Sequence, residues 1–301
     1  MARTAVLDLG TNTFHLLIAE RLPGGGWHTV VKHKIYVKLA EEGIHRIGDA
    51  AYARGLEALR IFKKEIDLAG VATGQVKAFG TAALRTAENA PDFLRQATDI
   101  IGLRPESIPG SREAELIHKG VRKAVPFPEG RVLIMDIGGG SVEFIIADRE
   151  RVFWQHSFPV GAAVLWRAFH QNDPISEIEV QNVENHLETA LSDLWRALEQ
   201  YPSPTLVGAS GTFDVIDLFL LDPAVKPELY GHIEVARFFP LYEKLRHSTL
   251  AERRAMPKLP DERVEMVVVA VILIRYILRK AGIREIYTSV YAMKEGMLEE
   301  C

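Results

Sequence analysis

The chain has 301 residues, enough for about two domains of roughly 100–200 residues each. Hydrophobic residues make up 48% and charged residues 25%, a globular balance that excludes disorder and collagen-like repeats. The sole cysteine, Cys301, excludes an internal disulfide framework and points to a reducing compartment. A net charge of −4 argues against nucleic acid as a partner, so an anionic substrate would need a local positive site.

Residues 5–9 and 14–20 read as buried strands joined by a Gly10-Thr11-Asn12-Thr13 turn. The N-terminal residues 1–4 lead into an apolar run broken by Asp8 and Asn12, which is no signal-peptide core. A second turn at Gly24-Gly25-Gly26 leads into one or two strands over 27–39. Asp49 is placed to cap a helix reaching about residue 69, with Leu56, Leu59, Phe62 and Ile66 on one face. A strand over 75–79 runs into a loop at Gly80-Thr81. A helix follows between Pro91 and Gly102, and another, capped by Ser111, reaches about residue 124.

After Pro126, Pro128 and Gly130 the strands resume at 131–136, 142–148 and 151–158. Ser176 and Glu179 have capping-box spacing for a helix extending to residue 200. A strand at 205–207 meets the turn Gly208-Ala209-Ser210-Gly211-Thr212, which opens an apolar helix. A buried helix over 261–281, a strand at 284–288 and a helix over 291–299 complete the chain. Its apolar stretch 264–274 suits the core or the interface of a homodimer, the core being simpler, and is too short to span a bilayer. Strands interleaved with helices indicate an α/β fold. A cytoplasmic protein without a membrane partner is expected.

Residues 8–20 and 136–148 share one pattern, 128 positions apart: Asp, any residue, Gly, two residues, Ser or Thr, then an apolar strand ending Ile-Ala-acid. The same hairpin near the start of each half reads as a duplicated domain, with halves 1–125 and 126–301. Either hairpin alone is most simply a turn that needs glycine. The matched pair favours two loops facing each other across an interdomain cleft, clamping phosphate with backbone N–H groups and a neighbouring hydroxyl. Asp8 and Asp136, just before each turn, would then hold a cation. His15 reads as a packed strand histidine.

Five blocks carry a resemblance. The hairpins resemble the phosphate loops of the sugar kinase, heat-shock ATPase and actin superfamily, whose fold is a duplicated ribonuclease H-like (actin-like ATPase) domain. The opening Ala5-Val6-Leu7-Asp8-Leu9-Gly10-Thr11-Asn12-Thr13, the blocks Phe79-Gly80-Thr81-Ala82-Ala83-Leu84-Arg85 and Pro109-Gly110-Ser111-Arg112-Glu113-Ala114-Glu115, and the stretches Asp136-Ile137-Gly138-Gly139-Gly140-Ser141-Val142-Glu143 and Gly208-Ala209-Ser210-Gly211-Thr212 are similar to those of exopolyphosphatases and guanosine pentaphosphate phosphatases, the Ppx/GppA family.

The resemblance implies a hydrolase of phosphoanhydride bonds, acting on inorganic polyphosphate or guanosine pentaphosphate with Mg²⁺. It implies Glu113 as the base that orients water and Glu143 as a second acid linked to water or metal. Without it, Glu113 is a first-turn acid answering the helix dipole and Glu143 a strand residue. Asp136, Glu143 and Asp8 become the metal-side carboxylates. Gly10, Thr11, Asn12, Thr13, Gly138, Gly139, Gly140, Ser141, Ser210, Gly211 and Thr212 become phosphate loops, and Arg85 the fixed cation. The last helix is expected to cross back to the first domain, as in relatives.

The chain departs from the family in three places. Arg112 replaces a usual acid, which alters the ionisation of Glu113 or adds positive charge for substrate. Val290 and Tyr291 stand where relatives have Asp-Gly. Longer relatives add a C-terminal helical domain that helps grip long polymers, and with the sequence read only to residue 301, processive action on long polyphosphate is not expected. A kinase using the same loops, and a sensor that binds without turnover, are the alternatives.

Overall fold

The computed structural model describes residues 3–224 and 227–301; the first two residues of the N-terminal stretch lie outside it. The chain divides into two compact units. One runs to Gly120 and takes in Met293–Cys301; the other is Val121–Ala292.

The first unit opens with β1 (Arg3–Leu9), β2 (Thr13–Arg21) and β3 (Trp27–Tyr36), followed by helix α1 (Asp49–Leu68) and β4 (Val76–Gly80). Helices α2 (Ala82–Thr86) and α3 (Ala90–Ile101), the short strand β5 (Glu106–Ser107) and helix α4 (Gly110–Ala124) complete its continuous part. The sheet order is β3-β2-β1-β4-β5. The first three strands form an antiparallel meander, and β4 and β5 join in parallel beyond β1. Ala5, Leu7 and Leu9 point into one core with Leu59 and Phe62 of α1 and Phe93 and Ala97 of α3. The alternate residues Thr4 and Val6 are buried as well. Burial on both faces is why β1 reads as a continuous apolar run rather than an alternating one.

The second unit repeats this plan. Strands β6 (Val132–Ile137), β7 (Val142–Ala147) and β8 (Val152–Phe158) form the meander. Helices α5 (Ala162–Phe169), α6 (Glu177–Ala190) and α7 (Ser192–Gln200) precede β9 (Thr205–Ala209), and α8 (Gly211–Leu220) follows it. Then come β10 (Tyr230–Glu234), α9 (Val235–Arg246), α10 (Leu250–Arg254), α11 (Val267–Lys280) and β11 (Glu285–Ser289). The order β8-β7-β6-β9-β11 matches the first sheet strand for strand, and β10 adds an antiparallel edge. The fold is thus α/β, made of two ribonuclease H-like copies. Helix α12 (Met293–Leu298) lies in the first unit.

Several local expectations are corrected. The N-cap of α1 is Gly48, not Asp49, which instead opens the first turn. Ser111 lies inside α4, where the Pro109 carbonyl accepts from the N–H groups of Arg112 and Glu113. The stretch read as one helix to residue 200 breaks at Leu191, which stays fully buried with Leu187 and Leu194. The helix expected from residue 261 begins at Val267, after a 3-10 turn at Asp261–Arg263. The buried Arg253 Nε donates to the Val264 carbonyl at 2.7 Å and withdraws it from the helical ladder. The apolar stretch 264–274 agrees with the simpler reading as core: Val264 and Val267 through Ile274 are buried within the second unit. Among the described residues, no helix is long and apolar enough to cross a membrane.

The capping box of α6 is present, with Glu179 accepting from the N–H groups of Ser176, Gln171 and Asn172 at 2.6–2.9 Å. Burial opposes ionisation, but these bonds outweigh it and push the carboxyl down to about 2, against an ordinary 4.5. A lowered carboxyl contributes stability above its unfolded value and loses it as pH falls through its folded value. Glu179→Ala is therefore expected to destabilise the protein by about 2–3 kcal/mol at neutral pH. The gap between variant and wild type, measured by denaturant unfolding, should close as pH falls from 4.5 towards 2.

Candidate active site

Both copies place their glycine turn where the first strand of the meander hands over to the second. The Gly10 N–H donates to the Thr13 carbonyl at 3.1 Å, and the Gly138 N–H to the Ser141 carbonyl at 3.0 Å. The repeat therefore extends to single hydrogen bonds. In each copy the segment after the third strand takes up the turn's carbonyls. Asn12 accepts from the N–H groups of Val37 and Lys38, and Thr11 from that of Leu39. Gly138 and Gly139 accept from Ala162 and Ala163 at the start of α5, at 2.9 Å. A turn with its carbonyls engaged has lost its negative edge, which suits an anion at its amides.

In the first unit the ends of β1, β4 and β5 bring the candidate residues together. Thr81 N–H donates to the Leu9 carbonyl, and Ile108 N–H to the Gly80 carbonyl. The buried Thr11 hydroxyl accepts from the Ala83 N–H at 3.1 Å, fixing the start of α2. From α2, Arg85 Nη1 donates to the Ile108 carbonyl at 2.8 Å and to Glu113 Oε2 at 3.1 Å. Glu113 is 7% exposed in the first turn of α4. A carboxylate there is held by the positive end of the helix as well as by the guanidinium. Arg85 thus touches the proposed base directly, a pairing across 28 residues that motif spacing does not reveal.

In the second unit Asp136 and Glu143 are directly opposed on β6 and β7, 6% and 1% exposed. Their counterparts in the first unit are Asp8 and His15, also directly opposed. Two buried carboxylates abreast repel unless a cation or proton lies with them. A Mg²⁺ needs only one or two carboxylates, with phosphate oxygens and waters for the rest, so this pair fits the ion. Among the described residues, no group of three or more acidic, histidine or cysteine side chains gathers around a metal position. Glu143 Oε1 accepts from the hydroxyls of Ser141 at 2.7 Å and Ser157 at 2.6 Å. The Ser141 hydroxyl, read from sequence as part of a phosphate loop, donates to Glu143 here.

Ser210 follows β9 beside Asp136, whose strand neighbour is Ala209. Its φ of +68° with ψ of 179° is a backbone state that side chains resist. It caps α8, whose first residues are Gly211 and Thr212. Two neighbours of these loops were not found by sequence reading. Arg263 lies against Gly211, where an added Cβ would fall 1.7 Å from its Nη2. Among the described residues, its guanidinium makes no ion pair. Gly161 lies under the second loop, where a Cβ would fall 2.4 Å from the Gly139 carbonyl oxygen. Only a glycine three residues beyond a predicted strand hinted at the second, and nothing local hinted at the first.

Each copy of the duplicated fold thus carries a glycine turn with an aspartate just before it, Asp8 in the first and Asp136 in the second. The chain belongs to the Ppx/GppA phosphatase family, whose model matches residues 17–301. It is 33% identical to the guanosine-5'-triphosphate,3'-diphosphate pyrophosphatase of Photobacterium profundum over 222 residues, which are 72% of this chain and 43% of the relative. The chain therefore spans less than half of that curated relative. Among solved structures it is similar to an exopolyphosphatase from Cytophaga hutchinsonii, with 35% identity and a TM-score of 0.93, covering 99% of this chain and 96% of that one. A Ppx/GppA enzyme of Aquifex aeolicus follows the fold at 25% identity and a TM-score of 0.80, covering 100% and 99%.

Proposed function

We propose that this protein is a phosphoanhydride hydrolase that releases terminal orthophosphate from inorganic polyphosphate, guanosine pentaphosphate or both. The observation that carries the reading is Glu113, buried at a helix start and fixed by Arg85 beside the glycine turn of its unit. Glu113 orients a water and takes its proton as the oxygen attacks the terminal phosphorus. The bridging P–O bond breaks and the shortened phosphate chain leaves. Arg85 neutralises charge on phosphate, and in each unit the amides of the glycine turn, Gly10–Thr13 or Gly138–Ser141, bind phosphate oxygens. Arg263 and the Ser210–Thr212 turn hold phosphate further along the chain. Phosphoryl transfer depends mainly on such positioning and charge neutralisation. Asp136 and Glu143 would hold Mg²⁺, which would supply positive charge to the phosphate oxygens.

Orthophosphate release from the two substrates at matched concentrations tests the reading. Release from at least one is expected, and chelation of Mg²⁺ should lower it about a hundredfold. Asp136→Asn should raise the Mg²⁺ concentration needed for half-maximal rate. Tight binding without release would make the protein a sensor. Transfer to an added acceptor with none to water would make it a kinase.

A further inference from the structure

Helix α4 carries Glu113 in its first turn, and the residues around it form a closed set of ion pairs. Arg112 donates to Glu115 at 2.7 Å and to Glu300. Lys119 donates to Glu115 and to Glu300, both at 2.7 Å. Arg112, Glu115 and Lys119 lie on successive turns of α4, and Glu300 closes the ring from beyond α12. The Glu300 side chain is 19% exposed, the least of the four. Burial works against its charge, but the hydrogen bonds from Lys119 and Arg112 prevail and hold the carboxyl below its ordinary range. Glu115 is held low by Lys119 and Arg112, so all four members are charged at neutral pH.

The contact is more than a surface ion pair. The Glu300 carbonyl accepts from Lys77 Nζ of β4 at 2.7 Å. At Gly296, α12 lies on the backbone of α4, where an added Cβ would fall 1.8 Å from the Leu116 carbonyl oxygen. An isolated exposed pair contributes little, whereas a closed network of short pairs on a packed helix fixes geometry.

We propose that Glu300 is a positioning residue for Glu113, closing the ring that holds the first turn of α4 and with it the carboxylate. The proposal rests on the reading of Glu113 as the base. It also places the Arg112 charge, considered from sequence as an addition for substrate, inside the ring.

Glu300→Gln keeps an acceptor but removes the charge. It is expected to lower kcat about tenfold, as small misplacements of a reacting group do, with KM unchanged and a melting temperature well above that of the assay. Arg112→Met opens the same ring from α4 and should give the same fall, and the double variant should lose no more than either single one. Should Glu300→Gln not fold, Arg112→Met alone decides by the same kcat readout. Unchanged kcat in a folded variant overturns the proposal, as do multiplicative losses in the double variant. A raised KM with unchanged kcat in Arg112→Met also overturns it, because Arg112 would then be serving the substrate. Glu113→Gln in the same assay separates the two readings. If it keeps full release, both fall; if it is inactive while Glu300→Gln is not impaired, only the positioning role falls.

Discussion

Glu113→Gln is expected to reduce orthophosphate release about a thousandfold while leaving the protein folded. The amide has the size of the carboxylate and keeps an oxygen for Arg85 Nη1, which sits 3.1 Å away. What it cannot do is take a proton from water, and a positioned base is worth about a hundredfold to ten thousandfold. The Arg85 side chain is 27% exposed and that of Glu113 only 10%, so neutralising the acid while keeping a hydrogen-bond acceptor should cost about 1–3 kcal/mol of stability. Steady-state kcat measured beside a thermal melt separates the two effects. A variant that is folded and fully active would remove Glu113 from the mechanism. An inactive and unfolded one would call for Glu113→Asp, which keeps a carboxylate but shortens its reach and should retain partial activity.

Gly161→Ala should give the second large effect, through phosphate binding. The added Cβ would fall 2.4 Å from the Gly139 carbonyl oxygen and 2.5 Å from the carbonyl carbons of Gly139 and Gly140. These are backbone atoms of the loop itself, so no side chain can swing aside to make room. The loop must lift from the start of α5, giving up the bonds from Ala162 and Ala163. Its amides then no longer converge on a phosphate. A fall of about a hundredfold in kcat/KM is expected, carried mainly by KM, with overpacking costing about 1–3 kcal/mol of stability. Gly24→Ala is the control: its Cβ meets nothing within 4 Å, and both kinetics and melting temperature should stay at wild-type values. Wild-type kcat/KM in Gly161→Ala would mean that the Gly138–Ser141 loop does not bind the substrate.

Arg112 illustrates how a departure from a family pattern is absorbed. Read alone, a cation next to the proposed base looks like a change in chemistry. In the structure its guanidinium is shared between Glu115 and Glu300, while Glu113 keeps its own partner in Arg85. The two neighbours on α4 point into different networks because consecutive helical positions do not face each other.

The sequence by itself determined the parts of this protein that are written locally. A hairpin is closed by its own residues, so the Gly10 and Gly138 turns, the apolar strands flanking them and the 128-residue repeat could be read directly. The α6 capping box spans four residues, Ser176 to Glu179, and was equally legible. Tertiary structure alone decided what depends on residues far apart in the chain. The late start of α11 goes with Arg253 taking the Val264 carbonyl, and nothing in the leucine spacing announces the break at Leu191. The partnership of Arg85 with Glu113, the Ser141 and Ser157 hydroxyls on Glu143, Gly161 under Gly139, Arg263 over Gly211 and Glu300 on Arg112 are likewise contacts that no periodicity encodes. Periodicity records only which face of an element is buried. Which partner meets that face is settled by packing, and in this protein packing settles what surrounds the proposed base.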